Sequence, residues 1–300
     1  MTTTNNRTIA KGELWLRLLQ TTEAALANGA LHHIETREQI SEERGIPFVV
    51  RVAENLQRKE KERAQQESVT PAFDPFLPPE PALTLGAIGD GHVAVLNKYN
   101  VVEHHLLIVT RHFVPQESLL THEDLSALCW CLREIDGLGF YNGGAEAGAS
   151  QQHKHLQLIP ALTIDGTHSF PIEAVLPHEL DTSSHHHAGL PFPHRITGLP
   201  TGLFESPEQA AAHCLRLYRE MLAELGQVPL ERNGLEYQSA PYNLLLTRRW
   251  LMLVPRTHEH FDDTSINAMG FAGSLFVLDE KGLEKITRVG PVAVLQAVTL

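Results

Sequence analysis

Cysteine is scarce in this chain: there are three in 300 residues, Cys129, Cys131 and Cys214. With an odd count and no Cys-x-x-Cys pair, neither a disulfide framework nor a zinc knuckle is expected, and buried thiols in a reducing cytoplasm fit better. Positive charge is also in deficit. Twenty-four Lys and Arg face 36 Asp and Glu, a formal net charge of −12, which argues against a nucleic-acid-coating protein with its basic face. A small phosphorylated ligand is still allowed, because it needs only local cations and backbone donors. No apolar run approaches the length of a membrane span, and the start, MTTTNNRTIAKGELW, carries no apolar leader segment. A cytoplasmic protein without membrane contact is the expectation.

What is present is an ordinary globular composition, 42% hydrophobic and 20% charged, with 21 Gly, 18 Pro and an unusually large set of 18 His. The length is ample for a large core. Residues 11–28 place Leu14, Leu18, Leu19 and Leu26 at helical spacing. IPFVVRV (46–52) reads as a strand. The mixed-charge run after it, with Arg58, Lys59, Lys61 and Arg63, reads for the most part as a solvated face. TPAFDPFLPPEPAL (70–83) is too proline-rich for a helix or central strand, so it wraps the surface.

HVAVLN and HLLIVT (92–97, 105–110) read as paired strands. Thr121 with Asp124 forms a variant capping box for a helix closing near Gly137, and LGFY and HKHLQLIPAL supply further strands around a glycine-rich turn. The stretch 176–202 is loop or linker by composition, which divides the chain into 1–175 and 203–300. In the second half Ser206, Pro207 and Gln209 predict a capped helix start, and YNLLLTRRWLMLVPR predicts a hairpin. VLNKYNVVEHHLLIVTR and NLLLTRRWLMLVPR echo each other faintly, as a duplicated α+β unit would.

The stretch GASQQHKHLQLIPAL sets His153, His155 and Gln157 at alternate positions. On a strand these share one face about 6.6 Å apart, with Lys154, Leu156 and Leu158 turned the other way. A neutral imidazole is a competent nucleophile toward phosphorus, provided its other nitrogen donates its proton to a fixed acceptor such as a backbone carbonyl. Gln157 cannot exchange protons at neutral pH, but its amide can donate to phosphoryl oxygens. Two other arrangements give the same spacing: a zinc pair awaiting a third ligand, and two unremarkable histidines among many.

Around this row the sequence resembles the histidine-triad superfamily and, more closely, its ATP adenylyltransferase branch, the diadenosine tetraphosphate phosphorylases. The resembling blocks are FDPFLPPEPALTLGAIGDGHVAVLNKYNVVEHHLLIVTRHF, GASQQHKHLQLIP, PYNLLLTRRWLMLVPR and INAMGFAGSLFV, in that order over about residues 46–280. The resemblance implies a histidine-triad-like α+β fold: an antiparallel sheet with flanking helices, built as two fused halves. It implies His155 as nucleophile on the α-phosphorus, releasing ATP, with His153 in support and Gln157 on the phosphoryl oxygens. Inorganic phosphate then takes the AMP to give ADP. Glutamine in the third position, where hydrolytic members usually have histidine, favours phosphate over water as acceptor.

By the same resemblance Asn97 meets a ribose with Lys98 beside it. Asn142 and the turn Gly148, Ala149, Ser150, Gln151 contact phosphates and ribose, and Lys59 lies near the polyphosphate. His105 sits near the site, and Asn267 and Phe271 complete nucleotide binding from the second half. A Mg²⁺-type cation held mainly by the substrate phosphates is expected, since a tetraphosphate needs neutralising near so acidic a protein. Structural zinc is not expected, because the cysteine pair that holds it in related uridylyltransferases has no match. A related transferase with another acceptor, a dinucleoside polyphosphate hydrolase and a non-catalytic nucleotide- or metal-binding protein are the competing readings. The run SSHHHAGLPFPHR (183–195) reads as a solvated loop.

Overall fold

The computed structural model describes residues 7–53, 74–161, 163–164, 167–168 and 170–299. The strands of its two main sheets are β1 (Arg37–Glu43), β2 (Ile46–Val52), β3 (Thr84–Ile88), β4 (His92–Leu96), β5 (Leu106–Thr110) and β6 (Gly137–Gly143), then β7 (His155–Pro160), β8 (Arg195–Gly198), β9 (Tyr242–Leu246), β10 (Trp250–Pro255) and β11 (Ser274–Val277). The helices are α1 (Leu14–Ala27), α2 (His122–Glu134), α3 (Pro207–Glu224), the single turn α4 (Ala268–Phe271), α5 (Glu280–Val289) and α6 (Pro291–Ala297). Among the described residues no helix is long and apolar enough to cross a membrane.

Eight strands form one antiparallel sheet in the order β8-β10-β9-β6-β7-β5-β4-β3. Strands from both sides of residues 176–202 therefore share one sheet. The two echoing stretches form hairpins, β4–β5 and β9–β10, that flank the central pair β6–β7. Residues 195–198, inside the stretch read as loop or linker, are strand β8 on β10. Its Ile196 and Thr197 are fully buried, and burying a backbone stretch requires a pairing partner.

One face of this sheet is covered by α1, α2 and α3, which bury Leu14, Leu18, Leu125, Leu128, Leu217 and Met221 against Leu106, Ile108, Leu156 and Leu158. The opposite face packs Phe140, Ile159, Leu245 and Trp250 against a second sheet, β1-β2-β11, together with α4, α5 and α6. In that second sheet β2 and β11 run parallel, joined only by the long excursion through the rest of the chain.

α1 buries Leu14, Leu18, Thr22 and Ala25, a strict i, i+4, i+8, i+11 stripe, while Leu19 and Leu26 face solvent. Thr121 caps α2 through the box with Asp124. Pro207 occupies the first turn of α3, but Ser206 makes no side-chain cap and the box with Gln209 does not form. With φ −114° and ψ 96°, the Ser206 backbone is extended, and the hydroxyl accepts from no backbone N–H of the first turn.

Asp124 does more than cap. It accepts from Lys154 Nζ at 2.7 Å and His92 Nε2 at 2.9 Å, and Lys154 also donates to the Leu119 carbonyl. Burial opposes ionisation of Asp124, but the His92 hydrogen bond and the Lys154 ammonium outweigh it and hold the carboxyl well below the usual range. The start of α2 is thereby tied to the residue between the two histidines of the H-x-H-x-Q row.

Candidate active site

β7 runs between β5 and β6, with Leu107 and Phe140 opposite Gln157 and Val109 opposite His155. His153 lies just ahead of it, bridged to Pro115. Alternation assigns Lys154, Leu156 and Leu158 to the helical side, and Leu156 and Leu158 lie in the helix-side core. Gln157 is backed by His105, whose ring packs on Phe140, and Ile159 enters the core of the opposite face.

His155 Nδ1 donates to the His153 carbonyl at 2.8 Å. That bond assigns the ring proton to Nδ1, which puts the lone pair on Nε2. The backbone of His155 is clamped by Gln116, whose Oε1 accepts from the His155 N–H at 2.9 Å while its Nε2 donates to the carbonyls of Asn142 and His155. Phe76 lies against the ring at 5.4 Å between centroids.

His153 is held on both sides. Nδ1 meets Asp74 Oδ2 at 2.8 Å, and Nε2 meets the Thr110 carbonyl at 2.8 Å and its hydroxyl at 2.9 Å. The Thr110 hydroxyl in turn donates to the His112 carbonyl. With two strong acceptors fixing the ring, the carbonyl that receives the His155 proton cannot drift.

Gln157 is oriented by a relay. Asn97 Nδ2 donates to His105 Nδ1 at 3.1 Å, so His105 carries its proton on Nε2 and donates it to Gln157 Oε1 at 2.9 Å. The acceptor end of the Gln157 amide is thus fixed toward His105 and its NH₂ end toward the other side. Burial, against the favourable Gln157 hydrogen bond and with the neighbouring His155, lowers the pKa of His105 to about 4. The ring stays neutral at pH 7, as the relay requires.

The remaining expected residues divide. Lys98 is ion-paired with Glu80 at 2.8 Å, both half-exposed. Asn142 is buried, and its Oδ1 accepts from Asn243 Nδ2 and from the Ala268 N–H that opens α4. Arg256 extends this network to Asn243 and the Ala147 carbonyl, sewing the two halves together. The turn Gly148, Ala149, Ser150, Gln151 leads directly into the histidine row, and Ser150 is exposed. Gly148 has φ +87°, and an added Cβ would lie 2.8 Å from that of Asn267, so only glycine allows this approach. Asn267 caps α4 through the Met269 N–H.

Phe271 is fully buried, edge-on to Phe192 at 5.1 Å, with the Arg256 guanidinium 5.3 Å from its ring centre. Lys59 lies outside the described residues.

Asp74, Thr110 and Gln116 escaped the sequence reading. Each comes from a loop or strand end 39–79 residues from the histidine it holds, and neither periodicity nor spacing marks such positions. Asp74 falls in a proline-rich stretch whose composition speaks only of a surface path.

The histidine run bonds its own backbone, with His186 exposed and His185 and His187 partly buried. His194 is buried, donates from Nδ1 to the Phe192 carbonyl and accepts from the His187 N–H, and His186 stacks on it at 4.5 Å. Among the described residues no group of three His, Cys, Asp or Glu is placed to hold a metal ion. Burial, with the charges of His186, His187 and His185 adding to it and the Phe192 carbonyl opposing, lowers His194 to about 4.

His105 and His194 both bind a proton more weakly folded than unfolded, where the value is about 6.5. The unfolded chain takes up more protons between those values, so stability contributed by the two neutral rings is full above pH 6.5 and is lost as pH falls toward 4. Denaturation midpoints measured from pH 8 to pH 4.5 should fall across this window, and His194→Phe should flatten part of the slope.

Models of the Ap4A phosphorylase N-terminal domain and the ATP adenylyltransferase C-terminal domain match residues 4–178 and 188–300. Diadenosine 5',5'''-P1,P4-tetraphosphate phosphorylase 2 of Saccharomyces cerevisiae is 31% identical over 294 residues, 88% of this chain and 87% of the relative. Protein APA1 of the same yeast is 28% identical over 285 residues, with the same shares covered. The crystal structure of yeast Ap4A phosphorylase Apa2 in complex with AMP superposes with a TM-score of 0.74 at 25% identity, over 97% of each chain. The complex with Ap4A gives 0.75 at 24% identity, over 96% of this chain and 97% of that one.

Proposed function

This chain belongs to the Ap4A phosphorylase family, and from that premise we propose that it is a nucleotidyltransferase cleaving diadenosine tetraphosphate with inorganic phosphate to ATP and ADP by way of an adenylyl-histidine. The observation that carries the covalent step is the bond from His155 Nδ1 to the His153 carbonyl, which leaves Nε2 as the attacking atom. The Nε2 lone pair forms a P–N bond to the α-phosphorus, and the bond from that phosphorus to the bridging oxygen breaks. ATP departs with the electron pair. An oxygen of inorganic phosphate then attacks the same phosphorus, the P–N bond returns its electrons to Nε2, and ADP is released.

Gln157 donates from its NH₂ end to the phosphoryl oxygens as charge builds on them. It has no proton to exchange, so it does not activate water for the second step. Asp74 and Thr110 hold His153, whose carbonyl keeps the His155 tautomer. Asn97, Lys98, Asn142, the turn from Gly148 to Gln151, Asn267 and Lys59 are proposed to meet the nucleotide and its phosphates. A Mg²⁺-type cation suits this site as an ion carried on the phosphates, because Asp74, the carboxylate that meets the histidine row among the described residues, is committed to His153. When bound, it would neutralise phosphate charge. The three cysteines are free and buried, which suits the cytoplasm that we assign as its compartment.

The test is mass spectrometry of protein quenched with Ap4A in the absence of phosphate. An AMP adduct is expected on the peptide containing His155, and added phosphate should discharge it as ADP. Formation of ATP and AMP at a rate independent of phosphate would overturn phosphorolysis.

A further inference from the structure

The mouth of the site carries an aromatic ring that the mechanism leaves unused. Phe113 is 54% exposed, more than Trp15 at 41%, yet its ring sits 5.5 Å from that of His153, edge-on at 64°. Phe76, on another side of the same histidine at 5.7 Å, is buried. The two phenylalanines thus differ in kind: one walls the site and the other presents an open face beside it.

The segment bearing Phe113 is fastened to the catalytic strand at both ends. Before it, the Thr110 N–H donates to the Lys154 carbonyl at 3.1 Å. After it, the Val114 carbonyl accepts from the Lys154 N–H at 2.8 Å, Pro115 bridges His153, and the Gln116 N–H donates to the Gln152 carbonyl at 2.8 Å. Residues 111–113 form a short bulge between these anchors, with Arg111 N–H tied back to the Gly91 carbonyl. Burying a Phe side chain is favourable, yet here the backbone is pinned and the ring stays out. An open aromatic face held in place next to a phosphate site is a stacking platform for a base.

The substrate proposed above has an adenosine at each end, and our further inference rests on that reading. The relay of Asn97, His105 and Gln157 marks one end of the polar row. His153 and Phe113 stand at the other, about 13 Å away by strand rise. We propose that Phe113 stacks the base of the departing nucleotide, the adenine of the ATP leaving group, while the adenylyl half lies toward Gln157. Stacking on a phenyl ring is tolerant of base identity, so the platform accepts any purine at the leaving end.

Two reactions of the same enzyme separate this role from a structural one. Phosphorolysis of Ap4A needs the second nucleoside. Exchange of labelled inorganic phosphate into ADP passes through the same adenylyl-histidine without it. In Phe113→Ala, kcat/KM for Ap4A should fall roughly tenfold, the scale of one lost base stack, while phosphate–ADP exchange keeps its rate. Phe113→Trp should restore Ap4A phosphorolysis. If Phe113→Ala lowers both reactions equally, the ring merely props His153 and the platform is wrong; if Ap4A phosphorolysis is unchanged, no base rests there. Wild-type protein that carries out neither reaction would instead remove the phosphorylase reading, and the platform with it.

Discussion

Replacing His155 with alanine should reduce Ap4A phosphorolysis by roughly 10⁴-fold or more, because both half-reactions pass through a bond to its Nε2 and no other group can form it. Nucleotide affinity, measured by equilibrium titration, should change little, since the residues proposed to meet base and ribose are elsewhere. The fold should survive. The strand is held independently of the ring, by the Gln116 clamp on the His155 backbone and by its ladders to β5 and β6. An unchanged thermal midpoint in the presence of inactive enzyme would locate the loss in chemistry. Substantial residual turnover would sink the covalent mechanism, because direct attack of phosphate on Ap4A would then suffice. Nearby, His153 cannot take over: both its nitrogens are engaged by Asp74 and Thr110.

The chemistry was legible in the sequence where it depended on neighbours along the chain. Alternation placed Lys154 opposite the histidines, and a lysine in an apolar row already demanded a partner, although only the fold names it as Asp124. The capping box of Thr121 and Asp124 spans four consecutive residues and formed as read; the box at Ser206 obeyed the same pattern and did not form, although the Ser206 backbone is extended like that of Thr121. Leu19 and Leu26 matched a helical period yet face solvent, since a period marks a stripe without fixing which edge of it meets the core.

What escaped was non-local. The parallel pairing of β2 with β11 joins segments more than 200 residues apart. The clamps on the two histidines come from Asp74, Thr110 and Gln116, whose residue types are ordinary for loops. Phe271 sits in a block resembling the family, but a glycine-bearing turn that enters a strand can aim an aromatic inward or outward, and here it is aimed inward.

Gln157→Ala is the second large effect. If the amide stabilises charge on the phosphoryl oxygens as the P–N bond forms, removing it should cost about 10²–10³ in kcat, as loss of one preorganised donor does elsewhere, with a much smaller change in KM. The relay predicts a companion result. In His105→Ala the Gln157 Oε1 loses its fixed donor, the amide can rotate, and acceptor and donor ends exchange places for part of the time. The kcat should fall, by less than in Gln157→Ala, and the two losses should not add in the double variant, because His105 acts only through Gln157. Asn97→Ala belongs to the same chain one step further out, since Asn97 keeps the His105 proton on Nε2. Additive losses would mean that His105 touches the substrate itself. A Gln157→Ala enzyme with kcat intact and KM raised would place the amide on the ground-state nucleotide, leaving the developing charge to other donors.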